Sequence, residues 1–247
     1  MVSLCFSLIT ALDTLGVNAL VYSRLIVLVD NKSSYHTKSS WGWSAYVESQ
    51  GYKVLFDAGG DSSVLEHNAR VLGVDLSRLS FAVLSHFHRD HYGGFRFIGR
   101  INPGLRVYVP PGGRTGILRG YGLKPVIVEK PMRVSDDMLI IGPFNNAGLS
   151  EQCFVFNAGE KGFIAILGCG HPGPDRMIEH VVCLLGRKMY MVIGGMHMPP
   201  RKVIDRVAAL SEKVCPGHCS GEEARSYLAR VYPDKYCDVY SGFVLEF

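Results

Sequence analysis

The chain has 247 residues, of which 47% are hydrophobic and 19% charged, a composition that excludes a disordered protein and allows a substantial core. The formal net charge of +4 is modest and the basic residues are scattered, so the charge does not indicate nucleic-acid binding and suits a small anionic substrate better. The seven cysteines lack the spacing of a zinc ribbon or a disulfide framework, so we expect reduced thiols in a cytoplasmic protein.

An even composition along the chain predicts a single unit. No linker or charge block divides the sequence, so we predict one domain over residues 24–247 after an extension over residues 1–23. The first 22 residues are apolar but lack the basic start of a signal peptide, and Asp13 interrupts them before the roughly 20 residues that a membrane span needs. We expect an extra helix or strand there and no membrane contact, with a membrane anchor as the less favoured alternative.

Strand-like runs fill the first part of the predicted domain. Runs rich in β-branched and aromatic residues predict strands at 24–30, 44–48 and 53–57, and helical spacing follows at 61–72. A short apolar strand at 81–85 then leads directly into a cluster of histidines.

The rest of the chain predicts a second sheet and helices that cover it. Short strands between Gly/Pro-rich turns are expected at 106–110, 126–130 and 138–142. The last third alternates strands with helices, which implies helices packed on sheet faces. Its strands are predicted at 163–168, 190–195 and 237–247, and its helices at 175–186, 202–214 and 222–232. A histidine follows directly on four of the strand-like runs, and active sites of layered α/β folds gather at such strand ends.

Residues 85–94 read SHFHRDHYGG and place three imidazoles and one carboxylate within six residues. Side chains two apart in an extended chain point the same way, so His86 and His88 can hold one metal ion. A turn at Asp90 and His91 aims a second pair at a neighbouring position, and the two glycines let the backbone pass close by. Two metals at roughly 3.5 to 4 Å become feasible. The alternative, a histidine-rich surface loop, is typically polar and repetitive and does not start from a buried strand.

This pattern resembles the metallo-β-lactamase superfamily, whose hallmark is His-x-His-x-Asp-His at the end of a strand. The resemblance extends to GCGHPG, GGMH and PGHCSG later in the chain. It implies an α/β fold, an αββα sandwich of two mixed sheets flanked by helices. It also implies two divalent metal ions, for which zinc is expected in preference to iron or manganese. By that resemblance the first metal is held by His86, His88 and His171, and the second by Asp90, His91 and His218. It also makes Asp57, in LFDAGG, an acceptor that orients a ligating imidazole.

The similarity is closer to one branch, the dihydropterin ribofuranosyl-aminobenzene phosphate synthases of methanopterin biosynthesis. Its marks are VDN, WGWSAYVE, LFDAG, LSHFHRDHYGG, the Glu151-Gln152 pair, GCGHPG, GGMH, GHCSG and a final LEF. These marks cover residues from about 24 to 247, nearly all of the chain outside the extension.

One departure from the family pattern concerns the residue that bridges the metals. Most binuclear members place an aspartate after the fourth motif strand, and here that place is predicted to hold His197. A neutral imidazole has one lone pair and cannot bridge, so His197 is expected to bind one metal, donate a proton or contact an oxyanion, unless it is a core histidine. Two divalent ions with Asp90 and a hydroxide leave a charge of about +2, which favours a phosphate or pyrophosphate ester over a neutral lactam.

Other side chains are candidates with ordinary alternatives. Thiolates are good zinc ligands, but six better-placed ligands favour packing roles for Cys169 and Cys219. An indole can stack on a flat ring such as a pterin, and an arginine can clamp a phosphate, although core packing and solvated surface positions are common for these residue types. The candidates for substrate contact are Trp41, Trp43, Arg114 and Arg119.

Two enzyme classes remain open at this point, with Asp90 and His197 as catalytic candidates. One is a metal-dependent hydrolase of small phosphate or pyrophosphate esters, in which Asp90 positions the nucleophile. The other is a transferase that condenses a dihydropterin pyrophosphate with ribofuranosyl-aminobenzene phosphate. An RNA-processing nuclease is less favoured because no basic arm is present, and a di-iron oxygen-reducing centre wants a carboxylate where the chain has His88. A non-catalytic metal-binding module is disfavoured by the complete ligand set.

Overall fold

Two mixed β-sheets pack face to face in the computed structural model, which describes residues 23–247. The strands are β1 (Ser23–Val29), β2 (Ser44–Ser49), β3 (Tyr52–Phe56), β4 (Phe81–Val83), β5 (Arg106–Val109), β6 (Lys124–Ile127), β7 (Met132–Ser135), β8 (Met138–Asn146), β9 (Leu149–Asn157), β10 (Phe163–Leu167), β11 (Met189–Gly195), β12 (Ser211–Gly217) and β13 (Val244–Glu246). The first sheet has the order β13-β1-β2-β3-β4-β5-β6, and the second β12-β11-β10-β9-β8-β7. The predicted extra element in residues 1–22 lies outside the described residues.

Helices cover the outer face of each sheet. They are α1 (Ser62–Val71), α2 (Arg89–Tyr92), α3 (Phe95–Ile101), α4 (Thr115–Gly120), α5 (Pro174–Leu185), α6 (Arg201–Ala209) and α7 (Glu222–Val231). One apolar layer lies between the sheets, a second joins the first sheet to α1, α3 and α4, and a third joins the second sheet to α5, α6 and α7. The predicted αββα sandwich is confirmed.

Strand direction brings the candidate residues to one edge of the sandwich. β1 and β3 are both antiparallel to β2 and therefore run the same way, and β4 is parallel to β3. β10, β11 and β12 are parallel to one another in the second sheet. The carboxyl ends of these strands carry the acidic residues and histidines singled out above, so both sheets contribute to one site.

Several predicted elements differ in the structure. Residues 202–214 were predicted as one helix, but α6 ends at Ala209 and the rest belongs to β12. β9 was not predicted, and only Val244–Glu246 of the predicted strand at 237–247 is a strand. Cys215 and Cys237 form a disulfide, which contradicts the expectation of reduced thiols throughout. Over residues 23–247 no helix combines the length and the apolar character that a membrane crossing requires.

Candidate metal centre

Six imidazoles from both sheets gather at the edge where the strands end. His86 and His88 follow β4, His91 lies in the short helix α2, and the others follow β10, β11 and β12 as His171, His197 and His218. Neighbouring rings have centroids 4.1 Å apart for His86 and His91 and 5.0 Å apart for His91 and His218. The segments that carry these histidines lie up to about half of the chain length apart in the sequence, so only the fold brings the imidazoles together.

The donor atoms fall into two groups. His86, His88 and His171 place one donor atom each within 4.8 Å of one another, and so do Asp90, His91 and His218. His86 Nε2 lies 3.1 Å from His88 Nδ1, and His218 Nε2 lies 3.3 Å from Asp90 Oδ2. The structure therefore brings together the same two sets of residues that the family resemblance implies as ligands.

Asp57 contacts the Nδ1 side of the His91 ring. Its carboxylate is fully buried at the end of β3, where Oδ2 lies 2.6 Å from His91 Nδ1. The amide and hydroxyl of Ser85 both donate to the same carboxylate, at 2.6 Å each. His91 therefore turns Nε2 toward the other donor atoms. A carboxylate that accepts from the other ring nitrogen of a metal-binding histidine has this geometry.

Glu151 has the corresponding position behind His171, a role that the sequence did not reveal. Its buried carboxylate accepts hydrogen bonds from the amides of Cys169, Gly170 and His171 and lies 3.0 Å from His171 Nδ1. Burial opposes its ionisation, but the contact with His171 and these amides lower the pKa of Glu151 to about 2. The signals in the sequence were the Glu151-Gln152 pair and its place just before the apolar run CFVF, but neither revealed this role.

His218 is held by two residues that follow β1. Asp30 Oδ2 accepts the His218 amide at 2.6 Å, and Asn31 Oδ1 lies 3.1 Å from His218 Nδ1. The VDN motif therefore serves to fix a ligand candidate that lies 188 residues away in the sequence. Its role was not predicted.

Two buried imidazoles are neutral at pH 7. Burial, followed by the nearby His218, lowers the pKa of His91 to about 3. Burial also lowers the pKa of His86 well below its ordinary value. A neutral imidazole keeps a lone pair for a metal, so both side chains are in the form that coordination requires.

His197 lies at the rim and not between the two groups. It is exposed, and its ring centroid is 4.4 Å from that of His171. With Cys169 and His171 it forms a further donor group, but it belongs to no group with Asp90 or His91. The structure therefore places His197 on the side of the first metal and not in the core.

Cys169 and Cys219 lie inside the site, although the sequence favoured packing roles. Cys169 Sγ is 3.2 Å from His91 Nε2 and 3.3 Å from Cys219 Sγ. The short contact between the two sulfurs lowers the pKa of the pair's first ionisation, because a thiolate on one sulfur accepts a hydrogen bond from the thiol on the other.

A cleft of about 410 Å³ opens above these residues. Trp41 is 65% exposed beside His218 and Met198 is 72% exposed, so the mouth of the cleft is apolar. Its lining comprises Asn31, Trp41, His88, Asp90, Cys169, His171, His197, Met198, His218, Cys219 and Gly221.

Three of the predicted substrate contacts do not line this cleft. Trp43 is fully buried in the layer between the sheets, where Gly217 leaves space for its ring. Arg114 and Arg119 are exposed, and Arg119 bonds to Thr115 within α4. The ordinary alternatives, core packing and solvated surface positions, apply to these residues.

The donor set fits two divalent transition metals. Imidazole, carboxylate and thiol are the ligand types that zinc and its neighbours prefer. His218 Nε2 is buried and has no hydrogen-bond partner in the described part of the chain, although it points among the other donors. An unpaired polar atom of this kind is costly unless a ligand satisfies it, and a metal ion held by these donors would satisfy it.

Comparisons with known proteins agree with this fold. The sequence profile of the Metallo-beta-lactamase superfamily matches residues 42–174, just over half of the chain. The curated 7,8-dihydropterin-6-methyl-4-(beta-D-ribofuranosyl)-aminobenzene-5'-phosphate synthase of Methanocaldococcus jannaschii is 23% identical, over 81% of this chain and 87% of its own.

Solved structures give the same result. Tm1679, a metal-dependent hydrolase of the beta-lactamase superfamily, is 28% identical with a TM-score of 0.79, covering 91% of this chain and 99% of its own. A diphosphatase from the PhnP family has a TM-score of 0.60 at 16% identity, over 92% of this chain and 97% of its own, and shares the fold.

Proposed function

This chain belongs to the metallo-beta-lactamase superfamily, and from that premise we propose that it is a binuclear metal enzyme that cleaves a small phosphate or pyrophosphate ester. The observation that carries the proposal is the pair of donor groups that lie side by side at one cleft. Each group offers three donor atoms, which leaves positions free for water and substrate on each metal.

The charge of the ligands supports an anionic substrate. Two divalent ions bring four positive charges, and Asp90 is the one anionic member of the two groups. With a metal-bound hydroxide and one thiolate of the sulfur pair as well, the loaded site keeps a net charge of about +1. A phosphate or pyrophosphate group compensates that charge, whereas a neutral ester does not.

The chain's own residues divide the remaining work. When bound, the metals supply a Lewis acid and lower the pKa of a water toward about 7. Asp90, whose side chain is 23% exposed beside His218, orients the attacking water. His197 stands at the rim, where it donates a proton to the leaving group. Trp41 and Met198 hold the organic part of the substrate at the apolar mouth.

A second candidate is the condensation of a dihydropterin pyrophosphate with ribofuranosyl-aminobenzene phosphate. The similarity to the M. jannaschii synthase and the exposed indole of Trp41, which offers a stacking face for a pterin, favour it. In this reaction pyrophosphate leaves a dihydropterin methyl carbon, and the aminobenzene nitrogen forms a bond to that carbon and releases its proton. The same cationic site neutralises the departing pyrophosphate.

One experiment separates the two reactions. The purified chain is loaded with zinc, manganese or iron and given the dihydropterin pyrophosphate with and without the aminobenzene phosphate, and products are resolved by chromatography and mass spectrometry. Release of phosphate or pyrophosphate without the second substrate supports the hydrolase, and a condensed product supports the transferase. Turnover of neutral esters at the same rate would contradict the preference for anions.

The variant Asp90→Asn tests the site itself. We expect its rate to fall by about 10²-fold or more because it loses both a ligand and the group that orients the water. His67→Ala, a histidine of α1 outside the donor groups, is the matched control and should retain full activity.

A further inference from the structure

The sulfur of Cys169 lies at the junction of the two donor groups. Its Sγ is within 4.8 Å of donor atoms in three different combinations: with His86 and His91, with His171 and His197, and with His218 and Cys219. These combinations include members of both proposed metal sites. Among the donor groups of residues 23–247, no other residue belongs to as many.

The position of this sulfur is fixed by the fold. Cys169 is 4% exposed, directly after β10, and its amide donates to Glu151 Oε1 at 2.8 Å. The same carboxylate holds His171, so a single buried group sets the spacing between the thiol and a ligand of the first metal. On the other side the thiol contacts His91, a ligand candidate of the second.

From this geometry we infer that the thiolate of Cys169 binds both metal ions and takes the bridging role that an imidazole at His197 cannot fill. The inference rests on the binuclear centre of the proposed function, but not on its substrate. A thiolate sulfur has several lone pairs and can bind two ions, whereas a neutral imidazole has one. His197 is exposed at the rim and has no donor partner on the side of Asp90.

Cys219 has a different role in this arrangement. It belongs to one donor group, and its thiol donates to Cys169 Sγ at 3.3 Å. Its own sulfur accepts a hydrogen bond from the His197 amide at 3.3 Å. Cys219 is therefore a positioning residue that orients the bridging sulfur and is not itself a ligand.

Cobalt substitution tests the inference by a signal that does not depend on turnover. The full chain loaded with Co²⁺ should show a sulfur-to-cobalt charge-transfer band in the near ultraviolet and contain about two ions per chain. Cys169→Ser should lose the band and bind about one ion fewer. Cys169→Asp should lose the band but keep both ions, because a carboxylate can bridge.

Two variants serve as controls. Cys153→Ser removes a free buried thiol outside the donor groups and should keep the band, and so should Cys219→Ser. The inference is overturned if wild-type protein with two cobalt ions lacks the band, or if the band survives in Cys169→Ser. Loss of the band in Cys219→Ser alone would assign the ligand to Cys219 and also overturn it.

The outcome is independent of the substrate. A chain that shows the band and two ions but cleaves no phosphate ester would refute the proposed function and leave the sulfur bridge standing. A chain that cleaves phosphate esters but lacks the band would support the proposed function and refute the sulfur bridge. Because the wild-type and Cys219→Ser spectra together can overturn the inference, the test does not require that Cys169→Ser folds.

Discussion

A buried carboxylate can set the strength of a metal site without touching the metal. Asp57 contacts the donor cluster through His91, and it stands at φ 54°, in the left-handed region that few residues other than glycine adopt. His197 and His218 share that backbone region at φ 52° and 45°. Strained backbone held in this way clusters at functional sites, because a particular side-chain direction is needed there.

Asp57→Asn should weaken metal binding. The amide keeps the shape of the side chain but loses the charge that holds the His91 Nδ1 proton, so we expect affinity to fall by about 10- to 100-fold. Competition with a coloured chelator measures the change. Asp75→Asn, a similar change at the exposed cap of a short 3-10 turn, should leave the affinity unaltered. Equal affinities in Asp57→Asn and the wild type, with both folded, would show that His91 needs no such support.

The glycines that follow the histidine motif are required by close backbone contacts. A Cβ atom at position 94 would overlap the carbonyl oxygen of Ala58, next to Asp57. Gly94→Ala should therefore destabilise the protein by about 3 kcal/mol or more, as overpacking against backbone does. Gly116→Ala in α4, where a Cβ meets nothing within 4 Å, should stabilise by about 0.5 to 1 kcal/mol. Urea denaturation of both variants measures the difference, and similar stabilities would contradict the packing argument.

At this scale the sequence reveals residues whose partners are near in the chain. The motif at 86–91 and its glycines could be read directly because they are contiguous. Glu151 and Asp30 could not, because their partners in the site lie 20 and 188 residues away. The position of Cys169 in the site could not be predicted for the same reason: its contact with His91 spans 78 residues.

Secondary-structure elements were predicted well where burial and pattern agree. β9 escaped prediction because its first half is polar and its apolar run is only four residues long, yet Glu151 and Gln152 are fully buried, with hydrogen bonds to distant backbone. β12 begins with Ser211 and Glu212, which continue the helical pattern of α6. Pairing with β11 overrides that local preference, as tertiary contacts often do.

The helix α7 supports the site through one buried arginine. Arg225 is 4% exposed, lies 3.8 Å from Asp30 Oδ1 and donates to the Val239 carbonyl at 3.3 Å. Since Asp30 also accepts the His218 amide, the helix, the end of β1 and the ligand loop form one unit. A buried charge left without its partner is strongly unfavourable.

Arg225→Met should therefore destabilise the protein by about 3 to 5 kcal/mol, because Asp30 remains buried and loses its cation. Denaturation of the metal-free protein measures this loss. Arg230→Met, an exposed arginine on the same helix, should change stability by less than about 0.5 kcal/mol. If the two variants are equally stable, Arg225 contributes by packing and not by charge.

In the whole molecule the candidate centre joins two sheets that otherwise meet through apolar contacts. The first sheet supplies His86, His88 and His91, and the second supplies His171 and His218. A metal that binds both sets links the layers, and its binding free energy adds to folding stability. Without metal, the same cluster of buried imidazoles must remain neutral for the layers to stay packed.

This requirement predicts that the buried imidazoles cost the metal-free protein stability in acid, whereas Asp57, whose pKa burial raises well above its ordinary value, acts in the opposite direction. The pKa of His91 is about 3 in the folded chain against an ordinary 6.5, because burial and then His218 disfavour its charged form. Between these values the unfolded chain binds a proton that the folded chain does not, so stability rises with pH and falls on acidification. Glu151 acts in the same direction at lower pH, since burial is outweighed by the contact with His171 and its pKa is about 2 against an ordinary 4.5.

The thermal midpoint of chelator-treated protein, recorded from pH 7 down to pH 4, measures this slope. The variant His91→Gln removes one of the buried imidazoles whose pKa is lowered and should reduce the slope above pH 4.5, where Glu151 contributes little. His67→Ala, partly exposed on α1, is the matched control and should keep the wild-type slope. A midpoint that rises as the pH falls would mean that His91 gains a proton in the folded chain, and then the ion pair with Asp57 would stabilise the metal-free fold instead of opposing it.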